Sequence, residues 1–147
     1  MSHRIPAPFL DLANCPRVAI LTTVMPCGAP HTSVVWCDFD GTHLMVNTMR
    51  GFRKEKNMRR NPRVTLLCYD PRQPLRSLEV RGRVIEMTEE GAEDHLDRLS
   101  ELYTGARPYF GKCVPRELKA TEKPVLCKIQ PVHVVTLDAR CQVVRAK

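Results

Sequence analysis

Apolar and β-branched residues fall in short runs along this chain, and proline, glycine or an Asp-Gly pair bounds nearly every run. Such punctuation predicts strands joined by turns, because proline and glycine interrupt the interiors of helices and strands alike. Arg17 to Val24 (RVAILTTV), rich in β-branched residues and stopped at Pro26, predicts a strand. Turn chemistry from Met25 to Pro30 leads into a second extended run, His31 to Phe39 (HTSVVWCDF), so the two form a hairpin. After Asp40-Gly41, Thr42 to Thr48 (THLMVNT) sets Leu44 and Val46 on one face, the next strand of an antiparallel meander.

Between Arg50 and Asn61 the period changes. Phe52, Met58 and the charges between them fit a short helix, which Pro62 closes because a residue before proline avoids the α region. Strands resume at Arg63 to Tyr69 and, past a loop from Asp70 to Pro74, at Ser77 to Met87, where Gly82 marks a bend or bulge. Thr88 is the expected N-cap of the one substantial helix, with Leu96, Leu99 and Tyr103 at helical spacing and Gly105 at its end. A further turn of helix is expected at Pro115 to Ala120, and Phe9, Leu10 and Leu12 start a short one near the N-terminus. Val125 to Ile129 and Val132 to Leu137 are the last strands, separated by Pro131. Six or seven strands in mostly meander order, with two or three short helices, predict a small barrel with helices at its mouth.

Length narrows this to a single domain over residues 1–147, and 43% hydrophobic with 27% charged residues is a globular balance. The formal charge of +7 is more informative by position than by size. Arg50 to Arg63 holds seven basic residues against the single acid Glu55, nearly the whole excess, whereas Glu89 to Glu101 holds six acids and one Arg98. An anion site is therefore local, and the acidic stretch would repel a polyanion. Seven cysteines without Cys-x-x-Cys spacing and an N-terminus without an apolar signal core predict reduced thiols and a cytoplasmic setting. The five histidines are dispersed, so no metal site is expected, and no apolar run of about 18 residues predicts a membrane span.

The strongest chemical constellation is Asn47-Thr-Met-Arg-Gly-Phe-Arg-Lys54, a strand end followed by a loop and a helix start. Free backbone N–H groups there, the small polar pair Asn47 and Thr48, and the cations Arg53 and Lys54 suit a phosphate group. A solvated basic helix face is the plainer reading of the same charges. Nucleic acid is a third, favoured by sixteen arginines to seven lysines, but 5% aromatic content and the lack of any groove-reading motif argue against it. His31 opens a strand near the barrel mouth, either as a reactive group or as a plain hydrogen-bonded histidine. No nucleophile, acid or base stands out, and no catalytic side chain is assigned; an enzyme of this kind borrows its chemistry from a cofactor.

In order along the chain, VAILTTV to Val24, Gly28-Ala-Pro-His-Thr-Ser-Val-Val35, Asn47-Thr48, Arg53-Lys54, Asn57-Met-Arg-Arg-Asn-Pro-Arg-Val64 and Glu79-Val-Arg-Gly-Arg-Val84 resemble the pyridoxamine 5′-phosphate oxidase-like split β-barrel family. The similarity spans roughly residues 8 to 137 and points to the short branch that uses FMN or the deazaflavin F420. The Asn57 to Arg63 segment is most similar to the F420-linked members. The resemblance implies a mainly β, split-barrel fold of six to seven antiparallel strands with two to three helices. It also implies a homodimer with the cofactor between subunits, its phosphate on Arg53 and Lys54, and hydrogen bonds from Asn47 and Thr48. His31 and Ser33 are implied to lie near the ring system. The implied activity is hydride transfer between the reduced cofactor and a small unsaturated substrate, acting without nucleic acid or membrane. The alternative is a non-catalytic flavin- or haem-binding module of the same fold. Pyridoxamine phosphate oxidases proper are longer and carry a C-terminal segment for pyridoxal phosphate, so vitamin B6 oxidation is not expected.

Overall fold

Seven antiparallel strands form one sheet in the computed structural model, which describes residues 3–14 and 18–139. In chain order these are β1 (Val18–Val24), β2 (Pro30–Val35), β3 (Cys37–Phe39), β4 (Leu44–Met49), β5 (Arg63–Asp70), β6 (Gln73–Thr88) and β7 (Pro124–Asp138). The α-helices among the described residues are α1 (Leu10–Asn14), α2 (Arg53–Arg60) and α3 (Ala92–Thr104). The mainly β split barrel expected from the sequence is what the chain forms, and α2 lies where the change of period placed it. Arg17, Cys15 and Cys141 fall outside the described residues.

The order of strands is β2-β1-β5-β6-β7-β4-β3, so most consecutive strands are neighbours as expected, but β2 does not pair with β3 nor β4 with β5. The run from His31 to Phe39 is not one strand. It breaks at Trp36, with β2 on one edge of the sheet and β3 on the other. Two residues of extended chain reach only roughly 7 Å, so the two edges must approach each other at Trp36. The sheet is thereby curled into a half-barrel. Tyr103 pins the crossing: its hydroxyl accepts from the Cys37 backbone N–H at 3.1 Å and donates to the Cys37 carbonyl at 3.0 Å.

Two further expectations are corrected at the other end of the chain. The two last strands are one, because Pro131 pairs with Gly82 where the β6–β7 register slips between Arg81 and Gly82. A proline without an N–H is tolerated at such a bulge. Gly82 is required there, since a Cβ on it would come within 2.5 Å of Ile129 Cγ2 and 2.9 Å of the Gln130 carbonyl. Thr88 does not cap a helix. It closes β6 and accepts the Glu90 N–H at 3.1 Å, and α3 starts only after Gly91, whose φ of 73° turns the chain from strand to helix.

The inward faces of the strands supply the core, with Leu21, Leu44, Leu66, Leu78, Val125 and Ile129 fully buried. Each such side chain contributes about 1.5–3 kcal/mol on leaving water. Helix α2 packs on β1 and β4, adding Met58 to this core, and α3 packs on β7 and β4. A smaller cluster of Met49, Leu96 and Phe110, flanked by Trp36 and Tyr109, fills the space beside α3.

Candidate functional site

Where β4 runs into α2, the chain makes a corner that is held from both sides. The buried Glu55 carboxylate accepts the Gly51 N–H at 3.1 Å and pairs with Arg59, which steadies the first turn of α2. Asn57 donates to Thr23 Oγ1 at 3.0 Å, tying the helix to β1. These two anchors fix the direction in which Lys54 leaves the helix.

Beside the corner is a cleft of about 240 Å³. Asn47, Thr48 and Met49 of β4 form one side with Phe52 and Lys54. Val34, Val35 and Trp36 of the β2–β3 crossing close one end, and Leu96 and Leu99 of α3 form the opposite side with Tyr109 and Glu122. The aromatic end is rigid. Trp36 stacks on Tyr103 with ring centroids 5.6 Å apart and meets Tyr109 edge-on at 6.0 Å, while Asp97 of α3 accepts the Tyr109 backbone N–H at 2.8 Å.

The basic stretch does not act as one patch. Arg50 bonds to Glu89 and Arg59 to Glu55, Lys56 and Arg60 are exposed on α2, and Arg63 stands on the outward side of β5. Among the described residues Lys54 has no carboxylate partner, and it alone of the seven lines the cleft. Its ammonium lies 6.0 Å from the Phe52 ring centroid, and burial holds its pKa below the usual lysine range. A half-buried cation at a cleft wall, without a carboxylate partner among the described residues, is chemically suited to an anion.

Of the residues singled out by sequence, Asn47, Thr48 and Lys54 come together in the cleft. Arg53 is exposed at the start of α2 and does not line it. His31 and Ser33 lie on edge strand β2 on the same face as the cleft residue Val35, without lining the cleft themselves. Five buried polar atoms have no hydrogen-bond partner among the described residues: His31 Nδ1, Ser33 Oγ, Asn47 Oδ1, Thr48 Oγ1 and Asn57 Oδ1. Four of the five belong to residues the sequence marked for a cofactor. Buried polar groups are almost always paired, so these residues and Lys54 fit a polar, anionic ligand along β2, β4 and α2.

Sequence reasoning missed the other half of the site. His95 of α3, 1% exposed, bonds through Nε2 to Asp38 Oδ1 at 2.8 Å and through Nδ1 to Asn47 Nδ2 at 3.1 Å. Nothing local announces this pair, since Asp38 and His95 are 57 residues apart. On the outward face of the sheet, Val34, Ile20, Leu67, Glu79 and Val135 form one row across five strands, and Val34 is 71% exposed.

A family model described as Pyridoxamine 5′-phosphate oxidase matches residues 6–138. Among solved structures, an F420 reductase superposes with a TM-score of 0.77 at 27% identity over 89% of this chain and 98% of its own. A conserved hypothetical protein from Mycobacterium tuberculosis gives 0.68 at 28% identity, over 92% of this chain and 85% of its own. An FAD-binding protein from Mesorhizobium loti gives 0.61 at 23% identity, over 88% and 92%, a likeness of fold. No curated protein matches the sequence.

Proposed function

The chain belongs to the pyridoxamine 5′-phosphate oxidase family, and from that premise we propose that it is a deazaflavin- or flavin-dependent oxidoreductase, with F420 as its cofactor and FMN as the alternative. The observation that carries this reading is Lys54, half-buried and without a carboxylate partner among the described residues, in the same cleft as the Thr48 hydroxyl, which has no partner among them either. The similarity to an F420 reductase supports the deazaflavin over FMN. When bound, the ring system supplies hydride transfer to or from a small unsaturated substrate.

The residues of this chain bind, orient and exclude water. Lys54 neutralises phosphate charge, and the Thr48 hydroxyl donates to it. His31 and Ser33, whose Nδ1 and Oγ lack partners among the described residues, serve the ring along β2. Trp36, Leu96, Leu99 and Tyr109 make the water-poor side of the cleft, and burial raises the pKa of the Tyr109 phenol.

One chain holds only part of such a ligand, because a cleft of about 240 Å³ is below the roughly 300–1,000 Å³ of sites that enclose one. A second copy of the chain, seated on the outward row that runs from Val34 to Val135, completes it. No helix among the described residues is long and apolar enough to cross a membrane. The setting proposed is the cytoplasm, where the thiols of Cys37, Cys68 and Cys127 stay reduced.

Titration of the purified protein with F420 and with FMN, followed by fluorescence and visible absorbance, tests the reading. Lys54→Ala weakens the preferred cofactor roughly ten- to a hundredfold, the loss of a charge-assisted contact, while Lys54→Arg keeps most of it. Affinity is highest with the ammonium protonated, so it declines as pH rises through the lowered pKa of Lys54, and this decline starts below the ordinary lysine range. Lys54→Arg removes the decline. Unchanged affinity in Lys54→Ala sinks the anchor, and tight binding without any acceptor reduced favours a carrier module over an enzyme.

A further inference from the structure

The hydrogen bonds around Asn47 leave little freedom in how its amide is oriented. Ala92 offers a carbonyl oxygen, which only accepts, so the Asn47 atom 2.8 Å from it is the nitrogen. That same nitrogen lies 3.1 Å from His95 Nδ1, which must therefore be the unprotonated, accepting ring nitrogen. The ring proton is then on Nε2, where Asp38 Oδ1 receives it at 2.8 Å. Turning the amide over would set Asn47 Oδ1 against the Ala92 carbonyl, two acceptors face to face. Both amide N–H groups are thus engaged by Ala92 and His95, and what remains is Oδ1, buried and without a partner among the described residues.

We infer that Asn47 is presented to the cleft as an acceptor only, so that the ligand group it engages is a hydroxyl or N–H donor and not a phosphoryl oxygen, and that His95, braced by Asp38, is the positioning residue that makes it so. The inference rests on the proposed cofactor reading and divides the corner into two jobs. Phosphoryl oxygens of a phosphodiester, or of a monoester near neutral pH, are acceptors, so they belong with the donors Lys54 and Thr48. Asn47, adjacent to Thr48 on β4, instead reads the polyol chain or ring N–H that distinguishes a flavin-type cofactor from any other phosphate ester. This narrows the role that the sequence implied for Asn47.

Riboflavin, which keeps the ring and polyol of FMN but lacks the phosphate, separates the two jobs. The phosphate-free ribityl deazaflavin does the same for F420. Trp36 is the single tryptophan and lines the cleft, so its fluorescence reports each titration. Asn47→Ala weakens FMN and riboflavin by the same factor, about fivefold. Lys54→Ala weakens FMN by a larger factor and leaves riboflavin nearly unchanged. His95→Leu reproduces Asn47→Ala, and His95→Gln restores binding, since its amide can accept from Asn47 and donate to Asp38. An Asn47→Ala protein that loses FMN but keeps riboflavin puts Asn47 on the phosphate and overturns the inference. Unchanged affinity for both overturns it too, and in either case the cofactor reading survives. The Asn47 comparison decides the matter even where His95→Leu does not fold. A wild-type protein that binds none of these molecules overturns the cofactor reading and the inference with it.

Discussion

The two sides of the cleft are built by different means. The side that carries Lys54 and the hydrogen-bonding pair Asn47 and Thr48 comes from one stretch of eight residues, five of which line the cleft, placed by one strand end and one helix start. The opposite side is assembled from distant pieces: Trp36, Leu96 and Leu99, Tyr103 behind them, Tyr109 and the single carboxylate Glu122. Local sequence can position a cation, because the turn and the first helical residues fix its direction. Shape and dryness need surfaces that only the closed barrel brings together. Loss of the first side should therefore cost ligand, and loss of the second should cost fold before ligand.

Leu99→Ala is the most severe way to test that contrast. Leu99 is 1% exposed, buried on α3 against the cleft. Truncation of such a leucine costs about 2–5 kcal/mol, the removed methyl groups plus the cavity left behind. Urea unfolding should show this loss, whereas Lys54→Ala should unfold within about 0.5 kcal/mol of wild type, as substitutions away from the core do. Equal stabilities for the two variants would erase the distinction between the sides.

Tyr103→Phe is milder and more specific. The hydroxyl serves both the N–H and the carbonyl of Cys37, the first residue after the edge-to-edge crossing. Its removal leaves these backbone groups without that partner, a cost of about 1–3 kcal/mol, while the stacked ring beside Trp36 is kept. Hydrogen exchange at Cys37 should speed up more than exchange in the β5–β6 hairpin. Uniform acceleration across the sheet would mean that Tyr103 supports the whole barrel and not the crossing.

The same contrast explains what the sequence disclosed. The β1–β2 hairpin, α2 and the Gly82 bulge depend on neighbours close along the chain or on one residue type with a single physical use, and all were legible. Trp36 was not legible as a break, since a tryptophan between β-branched residues looks like strand interior; only its stacking on Tyr103 and the Tyr103 hydroxyl on Cys37 make it a crossing. Pro131 looked like a boundary because the compensating glycine sits on a different strand. At the site, Asn47, Thr48 and Lys54, grouped in the sequence by their place at a strand end and a helix start, line one cleft, and the charge run marked the helix that carries Lys54. Asp38 and His95 gave no signal, because a buried histidine and its carboxylate partner 57 residues away are joined only by the fold.

Arg53 gives the finest test, since it and Lys54 are neighbours with the same charge. Successive helical residues point about 100° apart, and here that rotation leaves Lys54 on the cleft and Arg53 exposed to solvent. An exposed cation acts on a bound phosphate only through screened water, at an effect of well under 1 kcal/mol that salt weakens further. Arg53→Ala should therefore lower cofactor affinity less than about threefold at low salt, and that difference should vanish near 0.5 M salt, where the Debye length falls to roughly 4 Å. A salt-resistant tenfold loss would show that Arg53 folds over the ligand as a second direct phosphate contact. The charged side of the cleft would then be completed by the ligand itself, and consecutive residues would no longer be enough to account for it.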